Sequence, residues 1–428
     1  MSGRGTAAPT LVMVTALGLT ACSPTATVPP SSTSVADIAT EADTVRPSTG
    51  APDGTEDSVP TTQGVAPVAD PGQMCEVQLP QTWRDALSAP RLADRDLFAT
   101  LLTVHDDGSR AEALYLDADD GVILIWTSAT GEQVEVMDLS DTPGQQVLGA
   151  SFDGRYLAFS VYESEELFSS PWTGFVWDSV ERGEATQIAA SPREDYPDGA
   201  PGAMPLMYPL MNDGVAYWVQ SDPTEEERDF RALKSYDVGT RQTETLTRGP
   251  FDKPKLFGDS LLVGSWPQDG QAHVLQIPIG AAVPEVPGEL LAAQGLSEFA
   301  AGGDSLAWVT TQSTVHLYDP DRGGVETITG PGTAMAEQVG EVGTLTLNGD
   351  VLTLYGKDSE SEYHQYVYDT RSESFTSHAP LGSSDFHAYP GHLALHHTDA
   401  QDNHLEGRAV VLPMDEVPPL PGCEKSND

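Results

Sequence analysis

Histidine and aspartate have the most scope for chemistry in this sequence, and both are unevenly spread. The chain has 428 residues, with ten histidines and 65 acidic side chains. Six histidines, His378, His387, His392, His396, His397 and His404, crowd toward the C-terminus. On a strand, His392 and His396 would share one face and His397 would take the other. Two same-face imidazoles four residues apart stand about 13 Å from each other, too far to share one zinc ion without a loop ligand. His387 and His404 could supply that ligand, so His387, His392, His396 and His404 form the candidate metal set, against the simpler reading of a polar strand surface. Imidazoles with an ordinary pKa of about 6.5 would also respond to mild acid. Asp117, Asp119 and Asp120 precede Gly121, and Asp319 and Asp321 precede Gly323 and Gly324. Carboxylates bunched in tight turns can hold calcium, but neither group has the spacing or distal bidentate glutamate of an EF-hand loop. Plain turn chemistry accounts for both.

One recurring string offers a nucleophile. Gly-Asp-Ser-Leu occurs at 258–261 and again at 303–306. The string resembles the signature of the GDSL esterases, in which the serine attacks and a late Asp-x-x-His carries the base. Here the copies lie 45 residues apart at one phase of a repeat, and the chain has neither Asp-x-x-His nor the Gly-x-Ser-x-Gly elbow of α/β-hydrolases. Both copies read as turns that run into strands.

The elements that would position any of these groups repeat along the chain. Short apolar runs follow Gly/Asp or Pro/Gly turns: Asp153-Gly154 precedes 156–159, Asp213-Gly214 precedes 215–218, and Gly258-Asp259 precedes 260–263. Gly303-Asp304, Gly349-Asp350 and Pro390-Gly391 do the same for 305–308, 351–354 and 392–395. The run starts are separated by 59, 45, 45, 46 and 41 residues, and the one long step coincides with a Pro- and Asp-rich insertion around 191–205. A second marker keeps phase with the first. Trp177-Asp178, Tyr236-Asp237, Tyr318-Asp319 and Tyr368-Asp369 each end an apolar run before a polar turn, while no such pair appears near Leu275. The aspartate would accept backbone hydrogen bonds in the turn, and the aromatic would fill the layer between neighbouring sheets.

Strand-length runs, turn punctuation, no long amphipathic helix and a unit near 45 residues predict an all-β chain folded as a β-propeller. Units starting near 100, 147, 206, 253, 297, 340 and 384 give seven blades, with six or eight as the alternatives. The pattern over 100–413 resembles the WD-repeat and TolB-like propellers, best in Ser151-Phe-Asp-Gly-Arg-Tyr-Leu-Ala-Phe159. In such rings the terminal strands commonly share a blade.

The N-terminus reads differently. Arg4, an apolar run from Leu11 to Leu19 and then Leu19-Thr20-Ala21-Cys22 make a secretory signal too short to span a bilayer. Its end resembles the lipobox of bacterial lipoproteins, which implies cleavage after residue 21 and acylation of Cys22. Residues 22–72 are rich in Ser, Thr and Pro, lack aromatics and contain one basic residue, Arg46. They are expected to form a disordered tether spanning roughly 40 Å, ahead of a propeller domain at 73–428. Of three cysteines, only Cys75 and Cys423 then remain, at the two ends of the folded part. Export permits a disulfide between them, with two separate thiols as the alternative.

Twenty-one basic residues against 65 acidic ones give a net charge of −44. Phosphate backbones and anionic head groups would repel such a surface, so nucleic acid is excluded as a partner and lipid is contacted through the anchor alone. The expectation is a lipid-anchored extracytoplasmic propeller that binds or scaffolds an envelope protein or cell-wall polymer, without a cofactor. The alternatives are a carbohydrate or ester hydrolase with channel-facing carboxylates and a sensory ligand-binding ectodomain.

Overall fold

The computed structural model describes residues 77–87, 98–115, 121–164, 170–191, 207–222, 230–265, 272–293, 295–310, 315–328, 345–357, 363–378, 384–397 and 409–422. The described residues form seven antiparallel sheets, each built from strands consecutive in sequence. Together they make a seven-bladed propeller. Blades 1, 2, 3, 5 and 6 have four strands, and blades 4 and 7 have three. The innermost strands are Phe98–Val104, Gln146–Phe152, Leu210–Asn212, Phe251–Phe257, Leu296–Gly302, Leu345–Leu347 and Ser384–Tyr389. Inner strands of successive blades pack against one another, whereas outer ones such as Gln242–Gly249 are mostly exposed. Blade 4 is the unit whose aromatic–Asp marker is missing. After its third strand, His273–Pro278, the chain makes a short helix, Gly288–Leu291, and the buried Val286 and Leu290 cover the sheet where a fourth strand would lie.

Blade count follows from how apolar residues pair across the gaps. Seven hydrophobic clusters occupy the seven inter-blade gaps. Trp126 and Trp177 meet between blades 1 and 2 with ring centroids 5.7 Å apart, and Trp172 and Trp218 are buried together between blades 2 and 3. Trp308 fills the gap between blades 4 and 5. Trp172, near a loop in sequence, is thus a packing residue and only 1% exposed. Leu101 and Val104 of blade 1 meet Ala394 and Ala409 beside blade 7, which closes the ring.

Both turn markers act as their residue types dictate. Asp153 accepts the N–H groups of Arg155 and Tyr156 at 3.0 and 2.7 Å, and its second oxygen accepts the Gly214 N–H of the next blade at 2.7 Å. Gly154 follows at φ 97°, a conformation that glycine adopts without strain. Asp178, Asp237, Asp319 and Asp369 accept backbone N–H groups within their own turns. Trp177, Tyr236 and Tyr368 are buried between blades.

Among the described residues, the two ends of the ring meet at blades 6 and 7. Blade 7 consists of Ser384–Tyr389, His392–His397 and Val410–Pro413, with no described N-terminal strand. The segment 77–87 instead caps the gap between blades 6 and 7. Val77 N–H donates to Phe375 O at 2.8 Å, and Trp83, 1% exposed, packs with Phe386, Val367, Val417 and Leu420. The indole N–H of Trp83 donates to Pro418 O at 3.0 Å. The buried Trp83 ring and the Val77–Phe375 hydrogen bond together tie this segment to the ring.

Candidate functional site

Topology gives the ring two unlike faces. Turns from first to second strand and from third to fourth strand lie on one face, because those strands run parallel. That face is tied blade to blade. Arg182 pairs with Glu132 at 2.6 Å, Arg322 donates to Thr370 O, and Arg371 donates to Val417 O at 2.9 Å. The strand ends joined by 116–120, 165–169, 192–206, 223–229, 266–271, 311–314, 329–344, 358–362, 379–383 and 398–408 all lie at the opposite face. Those connections carry 21 acidic residues against three arginines.

Basic charge is distributed the other way. Arginine supplies the ties just described, while two of the chain's five lysines, Lys253 and Lys255, sit on the innermost strand of blade 4. That strand carries a bulge in which Asp252 and Lys253 together oppose Gly264, between the pairs Phe251–Ser265 and Pro254–Val263. A proline fits there because an innermost strand has one edge free of ladder bonds. The inner strands of blades 2 and 5 are bulged near the same height, at Val147/Gly149 and Leu296/Glu298. Bulges re-aim side chains next to sites.

The two lysines reach opposite neighbours. The Lys255 ammonium pairs with Glu298 of blade 5 at 2.8 Å, donates to Phe299 O and lies 4.8 Å from the centre of the Phe299 ring. Burial pushes the Lys255 ammonium below its ordinary pKa against the pull of Glu298. Burial would raise the Glu298 carboxyl, but Lys255 and then Lys253 outweigh it and hold the group below the usual carboxylate range. Lys253 leans the other way, 5.3 Å from the centre of the Tyr208 ring beside blade 3. Burial raises the Tyr208 pKa, so its hydroxyl stays a donor, and Lys253 opposes that shift. Chemically this wall can hold a charged ligand. Glu298 is held ionised and therefore does not fit the protonated acid of a two-carboxylate glycosidase.

The residues singled out in the sequence are scattered. Ser260 and Ser305 of the two Gly-Asp-Ser-Leu strings are buried strand residues, and Ser260 accepts a hydrogen bond from Gln276 at 3.0 Å. His392 is 6% exposed with Nδ1 3.0 Å from Pro390 O, and His387 lies across the ladder from Ala394, on the same face of blade 7. The side chain of His396 and all of His404 fall outside the described residues. Among the described residues, no group of three His, Cys, Asp or Glu side chains could hold a metal ion. Asp117, Asp119, Asp120, Cys22, Cys75, Cys423 and the tether also fall outside them. No helix among the described residues is long and apolar enough to cross a membrane.

Sequence reasoning passed over two groups. Lys-Pro-Lys at 253–255 was legible as two of five lysines in an acidic chain. The turn at 105–109 was not: Asp107 Oδ1 accepts Ser109 Oγ–H at 2.5 Å and lies 3.0 Å from His105 Nδ1. Burial would raise the Asp107 carboxyl, but the hydrogen bonds from Ser109 and then His105 hold it below its ordinary value. The aspartate stands between serine and histidine, so the imidazole cannot take the serine proton, and Ser109 is 1% exposed.

No family model and no curated protein matches the chain. Solved structures do. A prolyl endopeptidase matches with 15% identity over 78% of this chain and 55% of its own, at a TM-score of 0.47. The β-propeller domain of the Trilobed protease from Pyrococcus furiosus, described as having an open velcro topology, matches with 12% identity over 74% of this chain and 98% of its own, at 0.46. TolB from Acinetobacter baumannii matches with 13% identity over 74% and 63%, at 0.32. The chain spans about half the length of the first peptidase structures it matches.

Proposed function

We propose that this protein is a lipid-anchored extracytoplasmic propeller that acts as a non-catalytic binding or scaffolding module for an envelope protein or cell-wall polymer. The observation that carries this reading is that short turns tied between blades lie on one face, while the strand ends leading into the long acidic connections lie at the other. Rigid strands fix the radius of every connection, and loops held on a rigid scaffold are where binding residues concentrate. The lipobox-like Cys22 supplies the anchor, since electrostatics would drive a chain of net charge −44 away from anionic lipid.

Affinity capture of the intact protein from its own envelope tests the reading, with Glu225, Glu226 and Glu227 replaced by glutamine in a parallel sample. A partner that binds the parent and is lost or weakened in the variant is the expected result. A partner indifferent to the variant and to salt would place the contact elsewhere. Cys22→Ala should release the protein from membranes, and unchanged fractionation would refute the anchor.

A further inference from the structure

We propose that the inner wall beside blade 4 is a seat for a ligand carboxylate, with Lys253 as the anchoring cation and the Tyr208 ring as the platform next to it. This deepens the binding reading and rests on it. The charge distribution is the first argument. In a chain with 65 acidic residues and five lysines, a carboxylate ligand is repelled almost everywhere. Arg155, Arg182, Arg322 and Arg371 are engaged with carboxylates or carbonyls that tie turns and blades. Lys255 is engaged with Glu298 and Phe299 O. Lys253 differs from all of these. Its ammonium lies against the Tyr208 ring, and no described group accepts a hydrogen bond from it.

Geometry supplies the second argument. Lys253 belongs to a bulge on an innermost strand, and Tyr208 comes from the neighbouring blade, where its ring also meets Gly149 of blade 2. A Cβ at Gly149 would come within 3.0 Å of that ring, so the missing side chain is what lets the platform lie there. An ammonium beside an aromatic face keeps donors available for an oxyanion. The flanking carboxylates decide between anions. Asp252 shares the bulge and Glu298 lies close enough to Lys253 for the ammonium to hold its proton affinity down. Both anions meet these carboxylates, but the repulsion on a phosphate dianion is about twice that on a monovalent carboxylate, whose single charge the Lys253 ammonium offsets.

Calorimetric titration of the intact protein tests the seat, using N-acetyl-dialanine with a free carboxylate, the same compound as its C-terminal amide, and inorganic phosphate. The free carboxylate should bind, and Lys253→Ala should weaken it about tenfold or more, the size of one lost charge-assisted hydrogen bond. Lys253→Arg should restore most of the binding, and the amide should bind no better than Lys253→Ala binds the acid. Both variants should keep the parent's thermal unfolding, because Lys253 is partly exposed. Equal binding of acid and amide, indifference to Lys253→Ala, tighter binding of phosphate, or no binding of the acid would each overturn the proposal. Envelope capture that survives Lys253→Ala would leave the broader binding reading intact while removing this seat.

Discussion

Replacing Cys75 with serine should lower the stability of the oxidised protein by as much as about 5 to 6 kcal/mol, the value for closing a loop of about 350 residues in the unfolded chain. The ends of the ring make this pairing attainable. Val77 N–H is bound to Phe375 O, and Leu420 N–H is bound to Asp369 Oδ2 at 2.9 Å. Phe375 and Asp369 lie one ladder step apart in blade 6, where Tyr368 pairs with Phe375 and Asp369 with Ser374. Cys75 lies two residues along the chain from one anchor and Cys423 three from the other, at no more than about 3.6 Å per step. The link should leave the native structure unstrained, because Trp83 and Pro418 already hold the ends together, so its effect falls on the unfolded state. Thiol titration of the protein in denaturant without reductant should find Cys75 and Cys423 blocked, and reductant or Cys75→Ser should lower the denaturation midpoint by the same amount. Two titratable thiols, or a midpoint indifferent to reductant, would refute the reasoning.

Trp83→Ala should cost about 3 to 5 kcal/mol, the usual range for truncating a fully buried aromatic, read as a lower urea midpoint; a cost below about 1 kcal/mol would mean that the segment 77–87 is not a structural cap. Removing the Lys255 ammonium by Lys255→Met leaves Glu298 without its partner and should destabilise far more than the double change Lys255→Met, Glu298→Gln, because an unpaired carboxylate in a partly dry site is the costly species. The pH dependence has a definite sign: Glu298 titrates lower when folded, so its stabilisation is complete above its unfolded pKa of about 4.3 and is lost as pH falls through the folded value. Glu298→Gln should therefore flatten the stability profile below about pH 4.3, and a profile as steep as the parent's would count against the ion pair.

Much of the fold was legible because it is periodic. The turn markers predicted blade starts near 147, 253, 297 and 384, and the inner strands begin at Gln146, Phe251, Leu296 and Ser384. The missing aromatic–Asp pair near Leu275 falls in blade 4, one of the two blades with three described strands. The site was not legible in the same way. Lys253, Tyr208 and Glu298 belong to three different blades and recur at no period, so nothing local to any one of them points to the others. The N-terminal cap was not legible for a related reason: Trp83 finds its partners in Phe386 and Pro418 more than 300 residues away.

The sequence by itself determined the blades and their turns, because an Asp-Gly turn, an apolar run and an aromatic–Asp pair each act within a few residues and repeat. It also determined the sign of the surface and the expected address at Cys22. Only the tertiary structure decided that the strand ends leading into the acidic connections share one face, that arginines tie turns across the other, and that Lys253 stands on an innermost strand without a described hydrogen-bond acceptor. Those relations depend on which strands lie side by side once seven apolar gaps have closed, and side-chain burial across the gaps, not local preference, sets that arrangement.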